Sequence, residues 1–283
     1  MFDSRATATE FLDRPDCDPA LAAASYRFME MVNCYFGGIR TVRRFLAAET
    51  AGRHAGAPLR ILDIGSGSCD IPLAVSRWAR AHDIPMHFTC LEMAGFAVDI
   101  ARGQLTRTGD PAVQLIREDV FIHQPAEPYD CAVASMCFHH FSDAQILALL
   151  QRLRGFVLNS VLINDLRRSR LVSLGPRLLL AGAPAEVRHD ALLSIRRGFK
   201  ISELRSLLRQ LDSVTVSVEP ARWFRIAAII RFKPEEAHEG HPQRSGPLLG
   251  DIPFTRVPTT PRQRARRSAA VGLHPMARGE PLA

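Results

Sequence analysis

The sequence predicts an α/β protein, a doubly wound sheet with helices on both faces that closes on an antiparallel hairpin. Three observations carry this. From residue 59 onward, short apolar runs of strand length alternate with stretches of helical periodicity. The first run, LRILDI (59–64), enters a glycine-rich turn, Gly65-Ser66-Gly67-Ser68-Cys69, and then a helix. The last two runs, SVTVSVE (213–219) and FRIAAIIRF (224–232), are too close together for a helical crossover and are expected to pair antiparallel.

The elements follow in order. Residues 1–17 are polar and read as a flexible N-terminus. Asp18-Pro19 is a helix start, a capping carboxylate followed by proline in the first turn. Leu21, Phe28, Val32, Tyr35 and Phe36 then recur at helical spacing, and Gly37-Gly38 is expected to end that helix. A second helix carries Val42, Phe45 and Leu46, so residues 18–55 form a helical cover ahead of a core over 59–233. Within the core, LRILDI is followed by a helix near 71–82, with Pro72 tolerated in its first turn. Strands are expected at 86–92, 113–119, 130–135 and 157–165, with helices near 96–107, 144–154 and 202–210; Ser142-Asp143 caps the second of these helices. With the closing pair, the strands number seven.

Composition bounds the partners. Among 283 residues, 47% are hydrophobic and 23% charged, an ordinary globular balance. No uninterrupted apolar run reaches the roughly 18 residues of a membrane span. The opening residues also lack the basic-then-apolar order of a signal peptide. The net charge of +7 invites a nucleic-acid reading. Yet only Lys200 and Lys233 are lysines, and the arginines are dispersed, which weakens it because positive charge identifies partners only when it clusters. Six cysteines form neither a CxxC pair nor a zinc-finger spacing, so a reduced, cytoplasmic chain without a structural metal is expected. Residues 234–283 hold eight prolines and five glycines without apolar periodicity and read as a disordered tail, with a basic cluster at Arg262, Arg264, Arg266 and Arg267.

The chemistry gathers at the strand ends. Glycines at 65 and 67 allow a tight turn and let a ligand approach backbone amides. The helix N-terminus behind them adds free N–H groups and positive dipole. In open α/β sheets, ligands sit beyond the carboxyl ends of the strands. The turn is not a nicotinamide fingerprint, because Asp70 stands where GxGxxG needs its last glycine, and no GK[ST] follows for a phosphate loop. Asp63, Glu92, Asp119 and Ser135 end the first four strands, facing one crevice. A carboxylate at 92 can accept two ribose hydroxyls, and one at 119 an exocyclic amine.

This order and spacing resemble the class I S-adenosylmethionine-dependent methyltransferases over about residues 18–232. The carriers are the loop 63–69, the acid at 92, the Glu-Asp pair at 118–119 and the strand 130–135. The resemblance implies a Rossmann-like seven-stranded sheet with an antiparallel last strand, and S-adenosylmethionine as cofactor. It implies that Asp63, Gly65, Ser66 and Gly67 hold the methionine part, with Cys69 beside them; Glu92 and Met93 would take the ribose, Asp119 and Val120 the adenine, and Ser135 would face the cofactor. Cys69 stands where the family has glycine, and its thiol is expected to narrow the loop. More locally, RPDCDP (14–19), MCFHHFSD (136–143), INDLRRSRL (163–171) and RHDALLSIRRGF (188–199) are similar to methyltransferases of bacterial polyketide and quinone-type pathways.

On the acceptor side, His139 and His140 follow the fourth strand, where an imidazole can serve as general base on a phenol, or one ring packs and the other bonds a loop. No third ligand accompanies them, so no metal is expected. Asn164 and Asp165 end the fifth strand, and Asp165 either orients a substrate hydroxyl or caps the next turn. Arg167, Arg168 and Arg170 read as a solvated face, and the apolar 171–185 as a lid or core packing. Together these predict methyl transfer to a small apolar or aromatic, polyketide-derived acceptor, O-methylation ahead of C-methylation of a quinol-type ring. A nucleic-acid methyltransferase is the rival; its proline-containing element after strand four is missing from Ser135-Met136-Cys137-Phe138. A non-catalytic cofactor-binding protein is the third reading.

Overall fold

The structure, a computed structural model, describes residues 4–14, 17–51, 56–169, 180 and 182–233. The chain divides into two units, 1–249 and 250–283, and every described residue belongs to the first. Most of the apolar 171–185 stretch and the whole 234–283 tail therefore lie outside the described residues.

Seven strands form one sheet in the order β3-β2-β1-β4-β5-β7-β6. They are β1 (Leu59–Ile64), β2 (Met86–Glu92), β3 (Val113–Arg117), β4 (Tyr129–Ser135), β5 (Val157–Leu166), β6 (Val214–Pro220) and β7 (Arg225–Phe232). The first five run parallel, while β7 lies antiparallel between β5 and β6, as the short closing connection requires. The chain steps outward from β1 to β3, then returns to place β4 on the other side of β1. The connections after β1 and β4 thus leave in opposite senses and open a crevice between them.

Side chains alternate across the sheet with the two-residue period of a strand. On one face Leu62, Ile64, Val161, Ile163 and Ile230 pack against α5 (Asp143–Leu153) and the later helix α7 (Ile201–Leu208). On the other, Ile61, Phe88, Leu162 and Ile229 pack with Val42, Phe45 and Leu46 of α2 (Gly38–Thr50) and with α3 (Asp70–Arg80). The parallel strands are buried on both faces, hence their near-continuous apolar sequences. The helix α4 (Gly95–Thr108) joins β2 to β3.

Local signals explain most boundaries. Asp18 caps α1 (Pro19–Tyr35), its carboxylate accepting from the N–H groups of Ala20 and Leu21, both at 2.9 Å. Ser142 and Gln145 form a reciprocal capping box at the start of α5. Gly37-Gly38 departs from expectation. The first helix stops at Tyr35, Gly37 turns the chain at φ 91°, and Gly38 opens α2. A Cβ at Gly38 would come within 2.7 Å of Asn33 Oδ1, so the two helices meet through that glycine.

Three further expectations are corrected. The helix α6 (Ala185–Arg197) was not visible as such in the sequence, because Asp190 and Ser194 share its buried face with Val187, Leu193 and Ile195. The segment 4–14, read as flexible, is laid against α6 and a short 3-10 turn, Phe138–His140: Ala6 N–H donates to the Arg196 carbonyl, and Phe11 and Leu12 N–H donate to the Asp190 carboxylate. Arg168, read as solvated, is buried and paired with Glu203.

Candidate active site

The crevice at the carboxyl ends of β1, β2 and β4 has a volume of about 860 Å³. Its floor is the β1–α3 loop. Gly65 and Gly67 take φ 63° and 56°, in the left-handed region where a side chain is strained. A Cβ at Gly65 would stand 2.6 Å from Cys137 Sγ, so the ends of β1 and β4 meet with no spare room. Tyr26 of α1 lies over Gly67.

Glu92 binds the loop to β2. Its Oε2 accepts from Gly67 N–H and its Oε1 from Met93 and Ala94 N–H, all at 2.8 Å. Asp119 stands just past β3, its Oδ1 accepting from Phe121 N–H at 2.9 Å. Asp63, 3% exposed, has its carboxyl pushed well above the usual range, by burial first and then by Cys69, Asp70 and Glu92. Among the residues singled out in the sequence, Asp63, Gly65, Ser66, Gly67, Glu92, Met93, Asp119, Val120 and Ser135 all line the crevice.

Cys69 does not. It too adopts a left-handed conformation, at φ 61°, which is why glycine suits the position. Its side chain is fully buried in the core with Ser66 Oγ 3.6 Å away, so the thiol does not narrow the loop. Asn164 and Asp165 also lie outside the crevice wall, which corrects their reading as substrate contacts. Asn164 Nδ2 donates to Ser135 Oγ, and Asp165 is wholly buried behind His139. There Asp165 accepts from His139 Nδ1 at 2.7 Å, from the His139 backbone N–H at 3.1 Å and from its neighbour Leu166 N–H at 2.7 Å. Burial alone would raise this carboxyl; the His139 ring and these donors outweigh it and hold it at about 2.

His139 and His140 both line the crevice. With Nδ1 committed to Asp165, His139 turns Nε2 toward Glu10, whose Oε1 is 3.9 Å away. His140 Nδ1 lies 3.3 Å from Asp13 Oδ2. Side-chain ligand atoms of Glu10, His139 and His140 all fall within 4.8 Å of one another. Glu10 and Asp13 come from the N-terminal arm and had no signal in the sequence, which is polar and aperiodic there. Asn33 and Met136, also on the wall, were missed as well. Asn33 donates to Asp70 at 3.0 Å and accepts from buried Arg225 at 2.6 Å, tying α1, α3 and β7 together.

Against this geometry the comparisons are specific. Residues 61–158, from β1 through the start of β5, match the family model described as a methyltransferase domain. Over these residues the chain is similar to methyltransferase domains. Solved structures share the fold beyond that segment. The plantazolicin methyltransferase BamL, in complex with a triazolic desmethyl analogue and SAH, is 15% identical, with a TM-score of 0.60 over 79% of this chain and 93% of that one. The plantazolicin methyltransferase BpumL, in complex with SAH, is 17% identical, with a TM-score of 0.53 over 76% and 95%. The magnesium protoporphyrin IX methyltransferase from Synechocystis PCC 6803, with bound SAH, is 10% identical, with a TM-score of 0.50 over 70% and 84%. No curated protein sequence matches significantly.

Proposed function

We propose that this protein is a methyltransferase that O-methylates a small aromatic or polyketide-derived acceptor, with S-adenosylmethionine held across the β1–β4 crevice. The single observation that carries the reading is the His139–Asp165 pair: a crevice-facing imidazole whose Nδ1 is fixed by a buried carboxylate. Fixing Nδ1–H makes Nε2 the free base.

The cofactor fits the residues present. The 63–68 loop lines the crevice, Glu92 holds a carboxylate at the loop's edge, and buried Asp63 offers a partner to an ammonium group. S-adenosylmethionine supplies an electrophilic methyl on a sulfonium. The chain's own residues align and deprotonate the acceptor. Alignment in such a site is worth several kcal/mol of barrier, about as much as the base adds or more.

An apolar acceptor is supported by a smaller cavity of about 70 Å³ that shares Glu10, Leu12, Met29, Met136 and Ser194 with the crevice wall. Phe28, Val32, Ile195 and Phe224 line its far side. Among the described residues, no helix is long and apolar enough to cross a membrane. The test is binding, then turnover. Calorimetry with S-adenosylmethionine is expected to give saturable binding; none would sink the proposal. A pooled panel of phenols and quinols, read by mass for a gain of one methylene, then identifies the acceptor class. Fragmentation separates O- from C-methylation, and a gain on ring carbon alone would favour the quinol reading.

A further inference from the structure

The base needs somewhere to send its proton. When an acceptor hydroxyl is methylated, its O–H bond breaks, an O–C bond forms, and the S–C electron pair stays on sulfur. One proton is left over on His139 Nε2. His139 is 3% exposed, so that proton does not leave directly to water.

We propose that Glu10, delivered by the N-terminal arm, takes this proton from His139 and passes it through His140 and Asp13 to solvent. The inference rests on the methyl-transfer reading for its chemistry, and on the following geometry for its route. Glu10 Oε1 stands 3.9 Å from His139 Nε2, a gap that one water or a small side-chain movement closes. The His140 ring lies within 4.8 Å of the same carboxylate, and Asp13 is 3.3 Å from that ring. The side chains of His140 and Asp13 are 30% and 34% exposed, so the chain of groups ends at water.

Ser194 orients the Glu10 carboxylate that receives the proton. Its single hydroxyl lies 2.7 Å from Glu10 Oε1 and 2.9 Å from the Asp190 carbonyl oxygen. A carbonyl only accepts, and one hydroxyl has one hydrogen. Ser194 Oγ therefore shares its hydrogen between the Glu10 carboxylate and the Asp190 carbonyl, and both fix where the carboxylate stands. Burial, the largest influence on Glu10, raises its carboxyl above the ordinary range, while His140, Ser194 and Arg197 oppose it.

The surrounding charges come from every packed element. The 3-10 turn offers His139 and His140, and β5 offers Asp165. From α6, Arg197 is 3.5 Å from Glu10 and 3.1 Å from Asp13, and Asp190 holds the arm's backbone. The arm adds Asp13 itself and Arg5, which spans the Arg197, His139 and Phe141 carbonyls. Burial raises the Asp13 carboxyl, but His140 first and Arg197 second outweigh it and hold it below its usual range, so Asp13 is the acceptor for His140.

The test is a proton NMR titration of the histidine rings, in free protein and in the complex with S-adenosylhomocysteine. The His139 signal is assigned by its loss in His139→Asn. Glu10→Gln keeps the Ser194 contact and removes the charge. It is expected to move the His139 midpoint to lower pH by about one unit. Glu10→Asp should restore part of the shift, and Ser194→Ala should raise the pH at which the Glu10 carboxyl titrates by carbon NMR. With a phenol returned by the panel, Glu10→Gln should lower kcat about tenfold with little change in KM. An unmoved His139 midpoint in both Glu10 variants overturns the proposal. So does a wild-type midpoint that EDTA shifts and Zn²⁺ restores, because Glu10, His139 and His140 would then be cation ligands. Failure of S-adenosylhomocysteine to bind would overturn the methyl-transfer reading alone, since the coupling is also measured in the free protein.

Discussion

Asp63 illustrates how one buried residue sets the pH dependence of a site. Its carboxyl is raised well above the usual value, because burial first of all favours the neutral acid. A cationic ligand reverses that preference and draws the proton off. Cofactor affinity is therefore expected to rise with pH on the acid side, with proton release visible by calorimetry in buffers of different ionisation enthalpy. Asp63→Asn should bind more weakly and lose the proton release. Gly65→Ala forces a Cβ to 2.6 Å from Cys137 Sγ at a φ of 63°, and should cost about 1–3 kcal/mol of stability and most cofactor binding. Cys69→Gly is the contrasting case. It relieves a left-handed φ and removes a thiol that faces the core, so S-adenosylhomocysteine affinity should stay within about twofold. A larger gain would mean that the thiol does obstruct the loop.

At the scale of elements, two buried carboxyls titrate in opposite senses. Asp165 is held at about 2 against a usual 3.8, so its ionised form contributes stability that is complete above pH 3.8 and lost as pH falls through 2. The shift corresponds to about 2 kcal/mol at most. Asp165→Asn should forfeit this and leave the His139 ring free to take the wrong tautomer, lowering kcat about a hundredfold or more while cofactor affinity holds. Asp70, at the start of α3, is raised to about 6, chiefly by burial. Its ionised form costs stability as pH rises from 3.8 through 6. Asp70→Asn should raise Tm at pH 8 and lose that advantage near pH 4; an unchanged Tm difference across that range would refute the assignment. These elements were legible in the sequence to unequal degrees. The strands and the β1–α3 loop announced themselves because burial on both faces leaves unbroken apolar runs, and because tight turns need glycine. The helix Ala185–Arg197 stayed hidden because its inner face is half polar, with Asp190 and Ser194 spent on the arm. Glu10 and Asp13 could not be found at all, since their role exists only once α6 and the 3-10 turn are folded beside them.

The molecule as a whole closes its crevice with parts from distant stretches of sequence. The loop and strand ends supply the cofactor side, while the arm, α1 and α6 supply the acceptor side. Arg5 fixes the arm through three carbonyls, an ion pair with Asp143 and a stack on Phe199. Arg5→Ala should speed hydrogen exchange over residues 4–14 and raise the acceptor KM, with little effect on the sheet's protection. Equal protection of the arm in both proteins would show that Arg5 does not hold it. The sign of the net charge, by contrast, says little about partners here, since the crevice chemistry depends on carboxylates and imidazoles.

The arm's seat also sets an order of assembly. A chain made from its N-terminus presents residues 4–14 first, yet their partners Asp190, Ser194 and Arg197 emerge near the end of the sheet domain. Asp165 likewise waits for β7, which pairs Ile226 opposite it. On the ribosome, a nascent chain that has passed Cys137 already holds every residue of the glycine loop and its neighbouring strand ends, with Glu10 and Asp13, but lacks both histidines of the proposed proton path. The proposed base is thus completed last, when the final strand docks beside Asp165.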